Sequence, residues 1–236
     1  MKQGLPFLLA ASGLAGLVVL QPALPLRLVT VWASIACLWI AASYFGLGAG
    51  ALGKRSDGTV SPIRLLVLLP YIVVGVLVVG VFRHVLREPA MGRLSDRLYF
   101  GRWLVNCEAS LLEERGIVAV LDLTAAVPES KAIRGDRVYR NLPLLDGTAP
   151  SREVLEEALR WIDDQSRNGA VYVHCAAGHG RAGLVTGAYL LASGEVSHAD
   201  EAIRRMGQVR PWLHLSGVQR RCLANFAASP SASGPQ

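Results

Sequence analysis

The chain has 236 residues, of which 52% are hydrophobic and 18% are charged, and its mean hydropathy is +0.36. These values are high for a single soluble domain and predict that part of the chain lies in lipid. The net charge is +6, but basic and aromatic residues do not alternate as they do in nucleic-acid-binding chains, so we expect no nucleic acid among the partners.

Three apolar segments occupy residues 1–90, which predicts a membrane region. They lie near 5–26, 28–53 and 65–82, and the second contains no charged residue. A bilayer crossing needs about 20 such residues in a helix, so we predict about three transmembrane helices. The first segment has a second interpretation as a signal peptide, because Lys2 precedes its leucine-rich stretch.

The cations around these segments predict their orientation. With three crossings, one side carries Lys2, Lys54, Arg55 and Arg64. The other side carries Arg27, Arg83, Arg87, Arg93, Arg97 and Arg102, together with the C-terminal half. The larger positive group favours the cytoplasmic side. Four cysteines without paired spacing predict neither disulfides nor a zinc site, and thiols stay reduced in the cytosol. We therefore expect an inner (plasma) membrane protein with its second half facing the cytoplasm.

Residues 91–227 have the pattern of one α/β domain, and residues 228–236 that of a disordered tail. The apolar run 117–123 predicts a buried parallel strand. Further strands are predicted at 98–100, 138–143 and 171–174. Helices are predicted at 108–114, 183–191, 199–206 and 215–226, and one more begins after Ser151. Ser151 is predicted to cap that helix, and Ser197 the helix at 199–206. Together they predict a central sheet with helices on both faces.

The segment from His174 to Arg181 joins the last predicted strand to an apolar helix. Cys175 ends the strand, and the backbone amides that follow it belong to Ala176, Ala177, Gly178, His179, Gly180 and Arg181. Loop amides and the positive end of a helix dipole bind a phosphate dianion and favour ionisation of a thiol beneath it. Arg181 can grip two phosphate oxygens at once. The segment therefore predicts a nucleophile and an anion site together.

Asp146 is the candidate general acid. It lies between a predicted strand and a predicted helix and precedes the flexible Gly147, as a carboxylate on a mobile loop would. Its other interpretation is a cap for the following helix. We expect His174 to orient the loop by hydrogen bonding rather than to bind metal. Asp122 and Arg210 are expected to have structural roles, and His179 either faces solvent or contacts substrate.

These motifs carry a family resemblance. The spacing Cys175-x5-Arg181 after His174 resembles the signature of the protein tyrosine phosphatase superfamily, and the Leu-Pro-Leu-Leu-Asp segment ending at Asp146 is similar to dual-specificity phosphatases. The resemblance covers residues 91–226 and implies that Cys175 is the nucleophile. It also implies that Arg181 and the amides of 176–181 bind phosphate, and that Asp146 is the general acid. The reaction implied is hydrolysis of a phosphomonoester through a phosphocysteine intermediate, without metal or cofactor.

The resemblance leaves the substrate open between phosphoproteins (Tyr, Ser or Thr) and a membrane phospholipid, and it makes no prediction of oligomeric state. One departure matters: the family usually has Ser or Thr after the arginine, and this chain has Ala182. Losing a hydrogen bond to the departing thiolate costs about 1.5–3 kcal/mol, or roughly 10–100-fold in that step. The alternative function is therefore a membrane-tethered pseudophosphatase that binds phosphorylated ligands with little turnover.

Overall fold

The structure is a computed structural model that describes residues 3–228. The predicted tail at 228–236 lies outside the described residues except for Ala228. The described chain consists of an apolar N-terminal region, residues 3–90, and an α/β domain that begins at residue 91. The proposed boundary between them at residue 90 follows the change in composition, and contacts cross it at several points.

Three helices form the N-terminal region: α1 is Leu5–Leu20, α2 is Leu24–Ala42 and α3 is Pro62–Gly80. With their π-helical extensions, α2 and α3 run over Leu24–Leu47 and Pro62–Val85, and both are long and apolar enough to cross a bilayer. The first helix is shorter. The prediction of about three transmembrane helices is therefore supported for two of them only.

The three helices expose a broad apolar surface, which we call the outer apolar face. Its most exposed members include Leu9, Val19, Leu28, Leu66, Val74 and Leu77, each with at least 60% of its surface accessible. Large exposed apolar patches mark sites of contact with a membrane or another protein.

The α/β domain has a five-stranded sheet in the order β1-β2-β5-β3-β4. The strands are Met91–Arg93, Leu98–Arg102, Ile117–Asp122, Val138–Asn141 and Ala170–Cys175, numbered in chain order. Strands β2, β5, β3 and β4 are parallel, and β1 pairs antiparallel with β2. The carboxyl ends of β2, β5 and β3 lie side by side, which is the edge where α/β sheets usually bind ligands.

Helices cover both faces of the sheet, as predicted. One face packs against the long helices α6 (Arg152–Ser166), α7 (Gly180–Ala192), α8 (Ala199–Val209) and α9 (Gly217–Ala227). The other face packs against the short α4 (Ser110–Glu114) and α5 (Lys131–Arg134). The Ser151 cap is confirmed, because its hydroxyl accepts from the Val154 N–H. The predicted Ser197 cap is wrong: His198 precedes α8, and Ser197 lies one residue too early.

Helix α3 lies across the α/β domain. In its middle, Leu68 and Ile72 pack with Ala125 and Ala126 of the domain. Beyond its end, the Phe82 ring lies 4.7 Å from the His179 ring, centroid to centroid. The middle of α3 and the segment after its end therefore contact the same domain, and the helix crosses above the edge that carries the predicted catalytic loop.

Candidate active site

The predicted catalytic loop joins β5 to α7. Cys175 ends the strand and is 2% exposed, and its sulfur accepts a hydrogen bond from the Gly178 N–H at 3.3 Å. Helix α7 begins at Gly180, so the positive end of its dipole lies close to the thiol. Five of the six predicted phosphate-binding residues line the same cavity as Cys175: Ala176, Ala177, His179, Gly180 and Arg181. Gly178 contacts the sulfur instead.

Two glycines let the loop approach its neighbours closely. Gly178 has a φ of +78°, which favours glycine, and a Cβ there would collide with the backbone of Gly101 in β2. A Cβ on Gly180 would lie only 2.8 Å from the Gln219 Oε1 atom on α9. The loop shape therefore depends on glycine at both positions.

Arg181 is buried at the first turn of α7 and faces the acid loop. Its Nη1 donates to the Leu144 carbonyl at 3.1 Å, and its Nε lies 3.2 Å from Oδ1 of Asp146. Burial opposes the charged form, but the charge of Asp146 raises the pKa of Arg181 above its usual value. The guanidinium stays charged, as phosphate binding requires.

Asp146 is brought to the catalytic loop, with 64% of its side chain exposed. Its own loop is held by four hydrogen bonds from other parts of the chain. The Tyr44 hydroxyl donates to the Asp146 carbonyl at 2.9 Å, Gln3 and Ser216 donate to the Gly147 carbonyl, and Gln219 donates to the Thr148 carbonyl. The backbone around the carboxylate is thus fixed from both the N-terminal region and α9.

His179 and Arg210 share one buried carboxylate, that of Glu88. His179 Nε2 lies 2.9 Å and Arg210 Nη2 lies 3.0 Å from oxygens of Glu88. Arg210 also donates to the Ala177 carbonyl, so its predicted structural ion pair reaches the catalytic loop. Of the two interpretations of His179, exposure to solvent is wrong, because Glu88 and the Phe82 ring enclose the side chain and leave it 8% exposed.

A second buried cluster lies behind Cys175 and contains Asp122, Glu129 and His174. Ligand atoms of these three side chains lie within 4.8 Å of one another, a spacing that a metal ion would fit. The Lys54 ammonium, however, pairs with Asp122 and contacts the Thr124 hydroxyl, so it supplies the positive charge there. The cluster is therefore an ion-pair network rather than a metal centre.

The charged groups of this network stabilise each other's ionised forms. Burial opposes ionisation of Asp122, but Lys54 and then His174 hold the pKa of Asp122 below its usual value. Burial also opposes a charged His174, yet Asp122 and Glu129 raise its pKa. His174 lies directly before the nucleophile, with its Nε2 3.2 Å from Glu129. The network therefore fixes the strand end that presents Cys175.

A cavity of about 590 Å³ opens in front of these groups. The catalytic loop and Asp146 line one part of it. The opposite side is formed by the N-terminal region through Pro6, Phe7, Tyr71, Val74, Gly75 and Val78. The cavity is thus charged at one end and apolar at the other.

The predicted residues Cys175, Arg181 and Asp146 therefore meet at one cavity. The residues that cross from the N-terminal region, namely Tyr44, Lys54 and Glu88, are not among those that the sequence predicts for the site. Lys54 was interpreted as a membrane-flanking charge, whereas it is buried in the domain. One signal was available: Glu88 is the only acidic residue between positions 58 and 95.

The chain is similar to known phosphatases. The family described as "Polymorphic toxin system, DSP-PTPase phosphatase" matches residues 104–195. Dual specificity protein phosphatase 6 of Homo sapiens is 32% identical over 105 residues, which are 44% of this chain and 28% of that protein. The tyrosine-protein phosphatase CDC14 homolog of Schizosaccharomyces pombe is 34% identical over 102 residues, 39% of this chain and 18% of that protein. The chain spans about half the length of its curated relatives, or less.

Among solved structures, a mutant form of Tk-PTP is 32% identical with a TM-score of 0.53, over 59% of this chain and 95% of that one. The family model matches residues of the α/β domain, Cys175 and Arg181 among them, and the N-terminal helices lie outside that match. The chain therefore belongs to the dual-specificity group of the protein tyrosine phosphatase superfamily.

Proposed function

We propose that this protein is a membrane-associated cysteine phosphatase that hydrolyses phosphomonoesters through a phosphocysteine intermediate. The observation that carries the proposal is the meeting of three groups, Cys175, Arg181 and Asp146, at one cavity. They supply a nucleophile, a fixed positive charge for the phosphate, and a proton donor, which are the groups this reaction requires.

In the first step the Cys175 thiolate attacks phosphorus and the bond from phosphorus to the substrate oxygen breaks. Asp146 gives its proton to that oxygen, so the substrate leaves as an alcohol. Arg181 and the loop amides hold the equatorial oxygens throughout. The enzyme then carries a phosphocysteine and an ionised Asp146.

In the second step Asp146 takes a proton from a water molecule, and the resulting hydroxide oxygen bonds to phosphorus. The bond from sulfur to phosphorus breaks, which returns the thiolate and releases inorganic phosphate. Two proton transfers by one carboxylate therefore close the cycle, with neither metal nor cofactor.

The membrane placement rests on the outer apolar face and on the two helices that are long enough to span a bilayer. We place the protein in the inner (plasma) membrane with the catalytic domain in the cytoplasm, where thiols remain reduced. Extraction of native membranes with alkaline carbonate tests the placement. Release of the full chain into the soluble fraction would contradict it.

The reaction is tested with the full chain in mild detergent and 4-nitrophenyl phosphate, in the presence of EDTA. We expect steady turnover that Cys175→Ser abolishes. Asp146→Asn should slow an alkyl phosphate far more than the nitrophenyl ester, because a poor leaving group needs the proton more. Turnover that persists in Cys175→Ser would rule out the phosphocysteine route.

The pseudophosphatase alternative rests on Ala182, which is fully buried at the start of α7 and offers no hydroxyl to the departing sulfur. If breakdown of the intermediate is blocked, the protein gives a burst of one equivalent of alcohol and then stops. Ala182→Ser should then restore steady turnover, whereas Ala182→Gly, which adds no hydroxyl, should not. Steady turnover by the unaltered protein would exclude the alternative.

A further inference from the structure

The catalytic loop is covered by the N-terminal helices. Cys175 is 2%, Arg181 is 6% and His179 is 8% exposed, and α3 crosses above them. Tyr71 and Gly75, near the middle of α3, line the same cavity as the nucleophile. The body of a phosphoprotein would have to occupy the space that α1 and α3 already fill.

The cavity is open toward the outer apolar face. Val74, a member of the outer apolar face, and Val78 both line the cavity, and they are 60% and 46% exposed. A path therefore leads from the outer surface of the helix layer, past these two valines, to Cys175. The walls that α1 and α3 contribute are mostly apolar, and the fixed charge of Arg181 lies beside Cys175 in the same cavity.

Such a path matches a molecule with a phosphate at one end and hydrocarbon at the other. Its volume of about 590 Å³ is that of a small-molecule pocket, large enough for a headgroup and the first part of its chains. The remaining hydrocarbon would continue past Val74 and Val78 into the lipid that surrounds the outer apolar face. A water-soluble phosphate ester would leave the apolar walls unused.

We propose that the substrate is a membrane lipid with a phosphomonoester headgroup, which enters sideways from the bilayer between α1 and α3. This inference rests on the phosphomonoester hydrolysis proposed above. The headgroup phosphate binds at Arg181 and the loop amides, and the hydrocarbon lies against Phe7 and the cavity face of α3. Cys175 takes the phosphoryl group, the lipid alcohol leaves with the proton of Asp146, and water then releases inorganic phosphate.

The test compares substrates that share the phosphomonoester and differ in hydrocarbon. The full chain in mild detergent is given dihexanoyl phosphatidic acid, which is short enough to remain monomeric, or glycerol 3-phosphate, which lacks the chains. Because burial of each CH₂ favours binding, we expect kcat/KM to be at least about 100-fold higher for the lipid. A phosphotyrosine peptide and 4-nitrophenyl phosphate complete the set.

Two matched variants test the path itself. A Cβ at Gly75 or at Gly80 would meet no atom within 4 Å, and both positions lie on α3, but only Gly75 lines the cavity. Gly75→Phe should lower the ratio of lipid to nitrophenyl phosphate turnover at least about tenfold, because it fills the space for hydrocarbon. Gly80→Phe should leave that ratio unchanged.

The outcomes separate the two proposals. A phosphopeptide turned over better than the lipid, or equal rates for the lipid and glycerol 3-phosphate, would overturn the lipid substrate and leave the phosphatase intact. An unchanged ratio in Gly75→Phe would overturn the sideways path. Lack of Cys175-dependent turnover of all four compounds, the nitrophenyl ester included, would overturn the phosphatase function itself.

Discussion

The two regions of this molecule use apolar side chains in opposite ways. In the α/β domain, α6 buries Leu155 and Ile162 against the sheet and turns charged residues outward. In the N-terminal region, α3 leaves most of its valines and leucines exposed. The domain completes its own core, whereas the helix layer leaves an apolar face of the kind that a membrane or another protein covers.

The regions are nevertheless bound together by buried charges. Lys54 crosses into the domain to pair with Asp122, and Glu88 crosses to pair with Arg210 and His179. Removal of the N-terminal region would take from Asp122 and from Arg210 the opposite charge that lies closest to each. The change in composition at residue 90 therefore does not separate two independently stable regions. Variants of the residues that cross from one region to the other measure how much these ion pairs contribute to the free energy of unfolding.

The largest effect is expected from Lys54→Met. Loss of one partner of a fully buried ion pair costs about 3–5 kcal/mol, because Asp122 keeps its charge without the ammonium. Urea unfolding of the full chain in detergent measures this loss. Arg55→Met, the same change at the adjacent exposed cation, should have little effect, and equal stability of both variants would refute the role of Lys54.

The same variant has a predictable pH dependence. In the unaltered protein the pKa of Asp122 is lowered, so its contribution to stability is present above the unfolded value of ~3.9 and is lost as the pH falls through the folded pKa. In Lys54→Met, protonation of the Asp122 carboxylate at low pH removes the buried negative charge that has lost its partner. The difference in unfolding free energy between the two proteins should therefore shrink as the pH falls below ~4. A difference that grows toward low pH would contradict the ion pair.

A smaller loss is expected from Glu88→Gln. The amide still accepts a hydrogen bond from Arg210, but it no longer balances its charge, so we expect a loss of about 3 kcal/mol. The catalytic loop should also shift, since Arg210 holds the Ala177 carbonyl. Stability and kcat for 4-nitrophenyl phosphate should therefore fall together. Glu114→Gln, at an exposed glutamate, serves as the control. An unchanged kcat in Glu88→Gln would contradict the role of Glu88 in holding the catalytic loop.

The smallest effect is expected from Tyr44→Phe, which removes one hydrogen bond from the backbone of the acid loop. A loss of about 0.5–1.5 kcal/mol in positioning corresponds to no more than roughly tenfold in rate. The decrease should appear with an alkyl phosphate and not with 4-nitrophenyl phosphate, because only the former depends on Asp146. Tyr189→Phe on α7, away from the cavity, is the matched control. Equal decreases for both esters would mean that Tyr44 acts on something other than the acid.

The parts that could be predicted are those whose cause is local in the sequence. The turn from β5 into α7 contains its own nucleophile, glycines and arginine within eight residues, so the loop was predicted residue by residue. Ser151 caps the helix that begins immediately after it. The long apolar run in β3 indicates its burial on both faces.

The parts that could not be predicted depend on pairs that are distant in the sequence. Lys54 and Asp122 are 68 positions apart, and Glu88 and His179 are 91 apart. Lys54 next to Arg55 at the end of an apolar segment has the pattern of a flanking charge, and only the folded chain shows that it enters the domain. The packing of α3 over the catalytic loop could not be predicted for the same reason. Hydropathy predicts that α3 is apolar, but it does not predict which part of the chain α3 packs against.

The close backbone contacts behind the catalytic loop have a mechanical consequence. Ala90, where the two regions join, accepts a hydrogen bond from the Arg102 N–H at 3.0 Å, and a Cβ at Gly101 would strike the Ala90 carbonyl. Gly101 in turn lies against Gly178 beside the thiol. Three stretches of main chain are stacked here without a side chain between them, so no rotamer change can absorb a displacement. A displacement of the N-terminal region at Ala90 would therefore pass through backbone contacts to the loop that carries Cys175.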